Sequence, residues 1–206
     1  MPRVPSPAPG EHGRRALLGL AVTASLAALA PASTRAAAAP DTGPAFSIRR
    51  AAGPITVDGD LSDPGWQSVE PVSTWYETRV GDNVEPHVRI VGWLAYDDKY
   101  LYAAFRFEDP EPGRIRAPLG EHDALSGTTD YGGIIVDSRN DGKTAQMFLA
   151  NASGLRYDAI SSDVSGEDNS PDWFWDTAGR IGEDGWTLEI RVPFSSLRCA
   201  QTPNPT

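Results

Sequence analysis

Apolar and polar residues alternate one for one along two neighbouring stretches of this 206-residue chain. In the first, Val88, Ile90, Gly92, Leu94 and Tyr96 fall on one face, and Arg89, Val91, Trp93 and Ala95 on the other. Asp97-Asp98-Lys99 makes a turn. Leu101, Ala103, Phe105 and Phe107 then alternate with Tyr102, Ala104, Arg106 and Glu108. A period of two is the spacing of a strand, whose successive side chains point to opposite faces. The two stretches therefore predict an antiparallel hairpin with one face buried, ended by Asp109-Pro110-Glu111-Pro112-Gly113.

The same period recurs later. Trp186, Leu188, Ile190 and Val192 alternate with Thr187, Glu189 and Arg191. Tyr131 to Asp137 and Thr144 to Asn151 flank Asn140-Asp141-Gly142, a strong hairpin turn. Ala152-Ser153-Gly154 turns the chain again, into a strand from Leu155 to Ile160. Trp173 is expected to open a strand reaching about Ile181. Shorter strands are expected at Ala45 to Arg50 and around Ile55 and Val57, and Gln67 to Val80 leans towards β. Ile115 to Thr129 is irregular, and Ser161 to Asp172 reads as an acidic surface loop. With 20 Gly, 18 Pro and no amphipathic helix, these eight or nine short strands predict an all-β fold. The architecture is an antiparallel β-sandwich, two sheets of jelly-roll or immunoglobulin-like type.

The stretch Ile55-Thr-Val-Asp-Gly-Asp-Leu-Ser-Asp-Pro-Gly-Trp66 carries three carboxylates, Asp58, Asp60 and Asp63. Gly59 suits a positive-φ turn, and Asp bonds its own backbone there. The crowding reads as solvated turn chemistry or as oxygen ligands for a hard cation such as calcium. Asp137, Asn140 and Asp141 form a second acidic turn with the same two readings.

Residues 1–39 read as an export signal. Arg14-Arg15 precede an apolar run from Ala16 to Ala30, and Ser33 to Ala39 supply small residues for cleavage. The arginine pair resembles a twin-arginine signal. Residues 40–45 are a linker, 46–198 the domain, and 199–206 a tail without structural signal. Without residues 1–39 the chain has 14 basic and 27 acidic residues. Such a surface repels phosphate backbones, so nucleic acid is excluded as a partner, while sugars and cations fit. The apolar run is too short for a comfortable membrane span. Cys199 is the only cysteine, so no intrachain disulfide forms and the core must hold the fold.

These residues resemble a known family. Ile55-x-Val-Asp-Gly-x-Leu-x-Asp-x-x-Trp66 is similar to the opening of family 9 carbohydrate-binding modules. Tyr96-Asp-Asp-Lys-Tyr-Leu-Tyr102, Glu108-Asp109-Pro110 and Gly185-Trp-Thr-Leu-Glu-Ile-Arg-Val-Pro-Phe194 follow in the family's order. Asn151-Ala-Ser-Gly154 and Ser195-Ser-Leu-Arg198 resemble a subgroup placed before a region like an outer-membrane barrel; against that subgroup this chain reads as truncated. The resemblance implies a sugar-binding sandwich that clamps its ligand between aromatic rings, binds structural calcium and is often joined to glycoside hydrolases. Localisation would be periplasmic, secreted or in the cell envelope.

Sugars offer C–H faces to aromatic rings and hydroxyls to planar donors and acceptors. Trp75, Trp173 and Trp175 border polar loops and are the expected aromatic contacts, with Arg106 and Asn151 as hydrogen-bonding partners. Trp66, Trp93 and Trp186 lie inside alternating patterns and belong to the core or a sheet surface. Catalytic signatures are lacking: there is no Gly-x-Ser-x-Gly elbow, His-Glu-x-x-His or phosphate-cradling glycine loop. Two other readings stay open. One is a haem-binding electron-transfer sandwich using Met147 with His87, His122 or Lys143. The other is a purely structural front domain.

Overall fold

A computed structural model describes residues 47–78 and 82–197. Residues 1–39, the linker 40–45, the tail 199–206 and Cys199 lie outside the described residues. Among the described residues nine strands follow in order: β1 Arg49–Arg50, β2 Arg89–Tyr96, β3 Tyr100–Glu108, β4 Tyr131–Val136, β5 Thr144–Asn151, β6 Arg156–Ser162, β7 Gly166–Asp168, β8 Asp176–Gly182 and β9 Gly185–Pro193. They form a five-stranded sheet, β1-β2-β3-β9-β8, and a four-stranded sheet, β4-β5-β6-β7. The predicted all-β, two-sheet sandwich is therefore the observed fold. All pairings are antiparallel except β1 with β2.

The predicted hairpin pairs Leu94 with Ala103 and Gly92 with Phe105. Its turn is capped by Asp97, whose Oδ1 accepts the N–H groups of Lys99 and Tyr100 and whose Oδ2 accepts the Tyr102 hydroxyl. Register with β9 places Phe105 opposite Leu188 and Phe107 opposite Trp186. The last two rings stack with centroids 4.1 Å apart. This face meets Phe148, Ala150 and Trp175 from the other side of the sandwich to form the main core.

The prediction of one buried face was incomplete. Ala95, Tyr102 and Ala104 point to the opposite side of the large sheet and are buried under Ile55, Trp66 and Val69. Residues 51–69 thus run over the sheet as a lid, with only a short 3-10 turn at Pro64–Trp66. No strand forms at Ile55 and Val57. Other boundaries also differ. Among the described residues of the first predicted strand, only Arg49 and Arg50 pair. Residues 67–78 make isolated bridges, Val72 to Gly92 and Glu77 to Val84, rather than a strand. The acidic loop contains β7, which pairs back onto Ile160–Ser162. β8 starts at Asp176 and not at Trp173, because the preceding residues are drawn to Asp158: its carboxylate accepts the Trp173 N–H and the Trp175 indole N–H.

The lid is pinned by Glu189 of β9. Its Oε2 accepts the backbone N–H of Asp58 (3.0 Å) and of Gly59 (2.8 Å), and its Oε1 accepts the Trp66 indole N–H at 2.9 Å. Gly59 has φ +84°, which favours glycine. Glu189 is fully buried. Burial pushes its carboxyl above the usual range, against the pull of the three donors.

A group whose native pKa is raised binds more protons in the folded state. Its contribution is therefore fully present below the ordinary carboxylate value and is lost as pH rises through the raised one. Glu189→Gln removes one acceptor and leaves a donor facing donors. It should cost about 1–3 kcal/mol, and urea unfolding across a pH series should show this downward slope in the native protein and not in the variant.

Candidate functional site

Trp75 lies on the segment that leaves the lid and runs beside β2. Two backbone bonds between Val72 and Gly92 (2.8 and 2.9 Å) fasten that segment. The Trp75 indole N–H donates to the Val72 carbonyl at 3.1 Å. Its ring meets Phe105 edge-on, with centroids 6.1 Å apart. Gly92 makes this seat available: a Cβ there would sit 2.9 Å from the ring carbon Cζ2.

Two open clefts meet at this residue. One, of about 450 Å³, is lined by Thr74, Trp75, Tyr76, Glu85, His87 and Arg89, among others. The Glu77–Val84 bridge folds the chain back and so brings residues 85–89 beside 73–76. Arg89 is held by Glu108 through two bonds of 2.9 and 2.8 Å. Tyr76 is 62% exposed. The other cleft, of about 490 Å³, is walled by apolar side chains, aliphatic and aromatic, chiefly of β2, β3 and β4. The polar cleft has what a sugar needs, aromatic surface bordered by a carboxylate, an imidazole and a guanidinium.

The other expected contacts do not join Trp75. Trp175 is buried, packs edge-on against Phe148, and donates its indole N–H to Asp158 at 3.0 Å. Asn151 is buried as well. Its amide donates to the Pro118 carbonyl, and its Oδ1 accepts the N–H groups of Ser153 and Leu155. Both were expected at a ligand surface, and both instead build the interior. Trp173 is half-buried against Phe148, at the rim of a cleft of about 110 Å³. Arg106 is exposed over the Trp93 ring at 5.9 Å, in a separate mixed-charge cleft of about 630 Å³. Tyr76, Glu85 and Arg89 escaped sequence reasoning, and His87 was named only as a haem ligand. The only signal was the adjacent Trp75-Tyr76 pair, since the loop that brings the rest together has no periodicity.

Asp58, Asp60 and Asp63 each accept a backbone N–H, from Asp60, Ser62 and Thr56 respectively. Hydrogen bonds from Ser62 hold the Asp60 carboxyl below its ordinary value, with the nearby Arg180 assisting. Asp137 and Asp141 likewise accept the N–H groups of their own turn. Among the described residues, ligating atoms converge elsewhere: those of His122, Asp123 and Asp172 lie within 4.8 Å of one another. His122 Nε2 is 2.8 Å from the buried Asp158. No spacing in the sequence links these positions.

The residues of the haem reading are dispersed. Met147 is buried in β5, His87 lines the polar cleft, His122 meets Asp158, and Lys143 is exposed beside the β4–β5 turn.

No known family model matches the sequence, and no curated protein does. Solved structures do match. A family 9 carbohydrate-binding module from Caldicellulosiruptor kristjanssonii in complex with cellotriose is 18% identical, with a TM-score of 0.51 over 76% of this chain and 69% of that one. The module from that organism in complex with glucose is 19% identical, with a TM-score of 0.50 over 75% and 72%. The chain has the fold of the family 9 carbohydrate-binding modules. A candidate carbohydrate-binding protein from Bacteroides uniformis shares it at 10% identity, with a TM-score of 0.56 over 77% and 76% of the two chains. At such identities the family 9 likeness is one of fold, and the ligand must be argued from this chain's own clefts. Among the described residues no helix is long and apolar enough to cross a membrane.

The seat of Trp75 is directly testable. Gly92→Ala should displace the indole and cost about 1–3 kcal/mol through overpacking. Thermal melts and tryptophan near-ultraviolet dichroism should both change.

Proposed function

We propose that this domain binds carbohydrate in the polar cleft beside Trp75 and does not itself cleave it. The observation that carries the reading is the position of Trp75. Of the three expected tryptophans, it alone stands in the wall of an open cleft that also holds Tyr76, Glu85, His87 and Arg89. An indole or phenol ring covers the C–H face of a pyranose, and the charged groups bind its hydroxyls. Glycosidases use two carboxyl groups at fixed separation. Glu85 is the one carboxylate among the described lining residues of this cleft. Fold neighbours in complex with glucose and cellotriose support glucose-type ligands. Export to the periplasm or cell envelope, and service to a glycoside hydrolase in carbohydrate catabolism, belong to the same proposal. So does structural calcium, for which Asp58, Asp60 and Asp63 remain the sequence-based candidates.

Glycan-array binding by the folded protein is the expected result, and Trp75→Ala should weaken it at least tenfold. Because that indole also packs on Phe105, Tyr76→Ala at the exposed rim gives a check free of core damage. It should lower affinity several-fold with an unchanged melt, whereas Trp173→Ala should leave binding intact. Folded protein that retains no glycan would refute the reading. For calcium, the melting temperature should rise between chelator and millimolar calcium, and an unchanged value removes the ion.

A further inference from the structure

The proposed sugar cleft accounts for only one of the two clefts that Trp75 lines. The second opens between the large sheet and β4, and its walls are apolar, both aliphatic (Val72, Leu94, Ile134 and Ile135) and aromatic (Trp93 and Phe105). Its volume, about 490 Å³, lies in the range of small-molecule sites and is far below that of a folded partner. Walls of this kind select by desolvation of apolar surface and offer almost nothing to a hydroxyl. Two rim residues keep aliphatic surface in water, Ile135 at 61% exposure and Ile48 at 43%.

Charge narrows the occupant further. Asp137 is the one ionisable residue among the described lining residues, and the whole chain carries a formal charge of −10. Both disfavour a fatty carboxylate or an anionic lipid and leave a neutral apolar group. The polar and apolar clefts share Trp75 as a lining residue, which sets them side by side.

We propose that the preferred ligand is a glycoside with a neutral apolar aglycone, its sugar in the polar cleft and its alkyl or aryl group between β2 and β4. This inference rests on the carbohydrate reading of the polar cleft. It adds the chemical class of the aglycone and names the residues that select it.

Calorimetric titration of the full chain tests it. The probes are matched methyl and n-octyl β-glycosides of glucose, galactose and xylose, below their micellar concentrations, with a sugar-free octyl oligoethylene glycol ether as control. Burial of as few as two methylenes contributes about tenfold in affinity. The octyl glycoside of the bound sugar should therefore bind at least tenfold tighter than its methyl counterpart, and also tighter than the ether. Ile135→Gln combined with Ile48→Gln, both at the exposed rim, should abolish that advantage while leaving methyl-glycoside affinity and the melting temperature unchanged. Equal affinity for methyl and octyl glycosides overturns the inference and leaves the carbohydrate reading standing. An octyl advantage that survives the double variant, or an ether that binds as well as the glycoside, overturns it too. Absence of binding by every glycoside overturns this inference, and only when the glycan array is empty as well does the carbohydrate reading fall with it.

Discussion

The fold depends on a buried carboxylate in the middle of a sheet. Glu189 sits on a face of β9 that would be solvated in an ordinary one-sided sandwich. Instead it gathers three N–H donors from the lid, two from the Asp58-Gly59 turn and one from the Trp66 indole. Desolvation of a carboxylate is costly, and charge-assisted bonds offset it only when the donors are held in place. The turn and the indole are therefore fixed by the same group that they satisfy. Once they are fixed, Ile55, Trp66 and Val69 cover Ala95, Tyr102 and Ala104. The middle of the large sheet becomes buried on both faces.

That second buried face has a consequence for the site. A chain segment that crosses the sheet as a lid must leave it at an edge. Here it leaves beside β2, where Val72 bridges to Gly92 and the Trp75 ring takes the space of a missing Cβ. The two clefts around Trp75 thus arise from how the lid is tied off. Neither belongs to the regular strands alone.

A second buried carboxylate, Asp158 of β6, plays the matching part on the other sheet. It accepts the Trp175 indole N–H, the Trp173 backbone N–H and a bond to His122. Among the described residues, no buried side-chain nitrogen or oxygen lacks a hydrogen-bond partner. Both acids bind an indole, so tryptophans next to polar sequence can still be interior. An indole needs one acceptor to be buried, and a distant acid can supply it.

Strand pattern and turn chemistry are local properties, and they were legible in the chain itself. The hairpin of residues 89–108, the Asn140-Asp141-Gly142 turn and the closing strand at Trp186 follow from period-two alternation and from residues that accept tight-turn backbone geometry. So does the choice of Asp58-Gly59 as a turn, and the polar sequence around Trp75 pointed to an indole at an open surface, where it lines two clefts. What the chain could not disclose are pairings between distant positions. Nothing in the spacing of Asp58, Trp66 and Glu189, or of Asp158, Trp175 and His122, shows that they meet. Tertiary structure therefore decided which tryptophans are interior, turned Asn151 from a surface partner into an internal brace, and assembled the polar cleft from residues 73–76 and 85–89. The physical reason is that hydrophobic periodicity reports which side of its own strand a residue occupies, whereas a buried polar contact depends on what the rest of the molecule brings to that side.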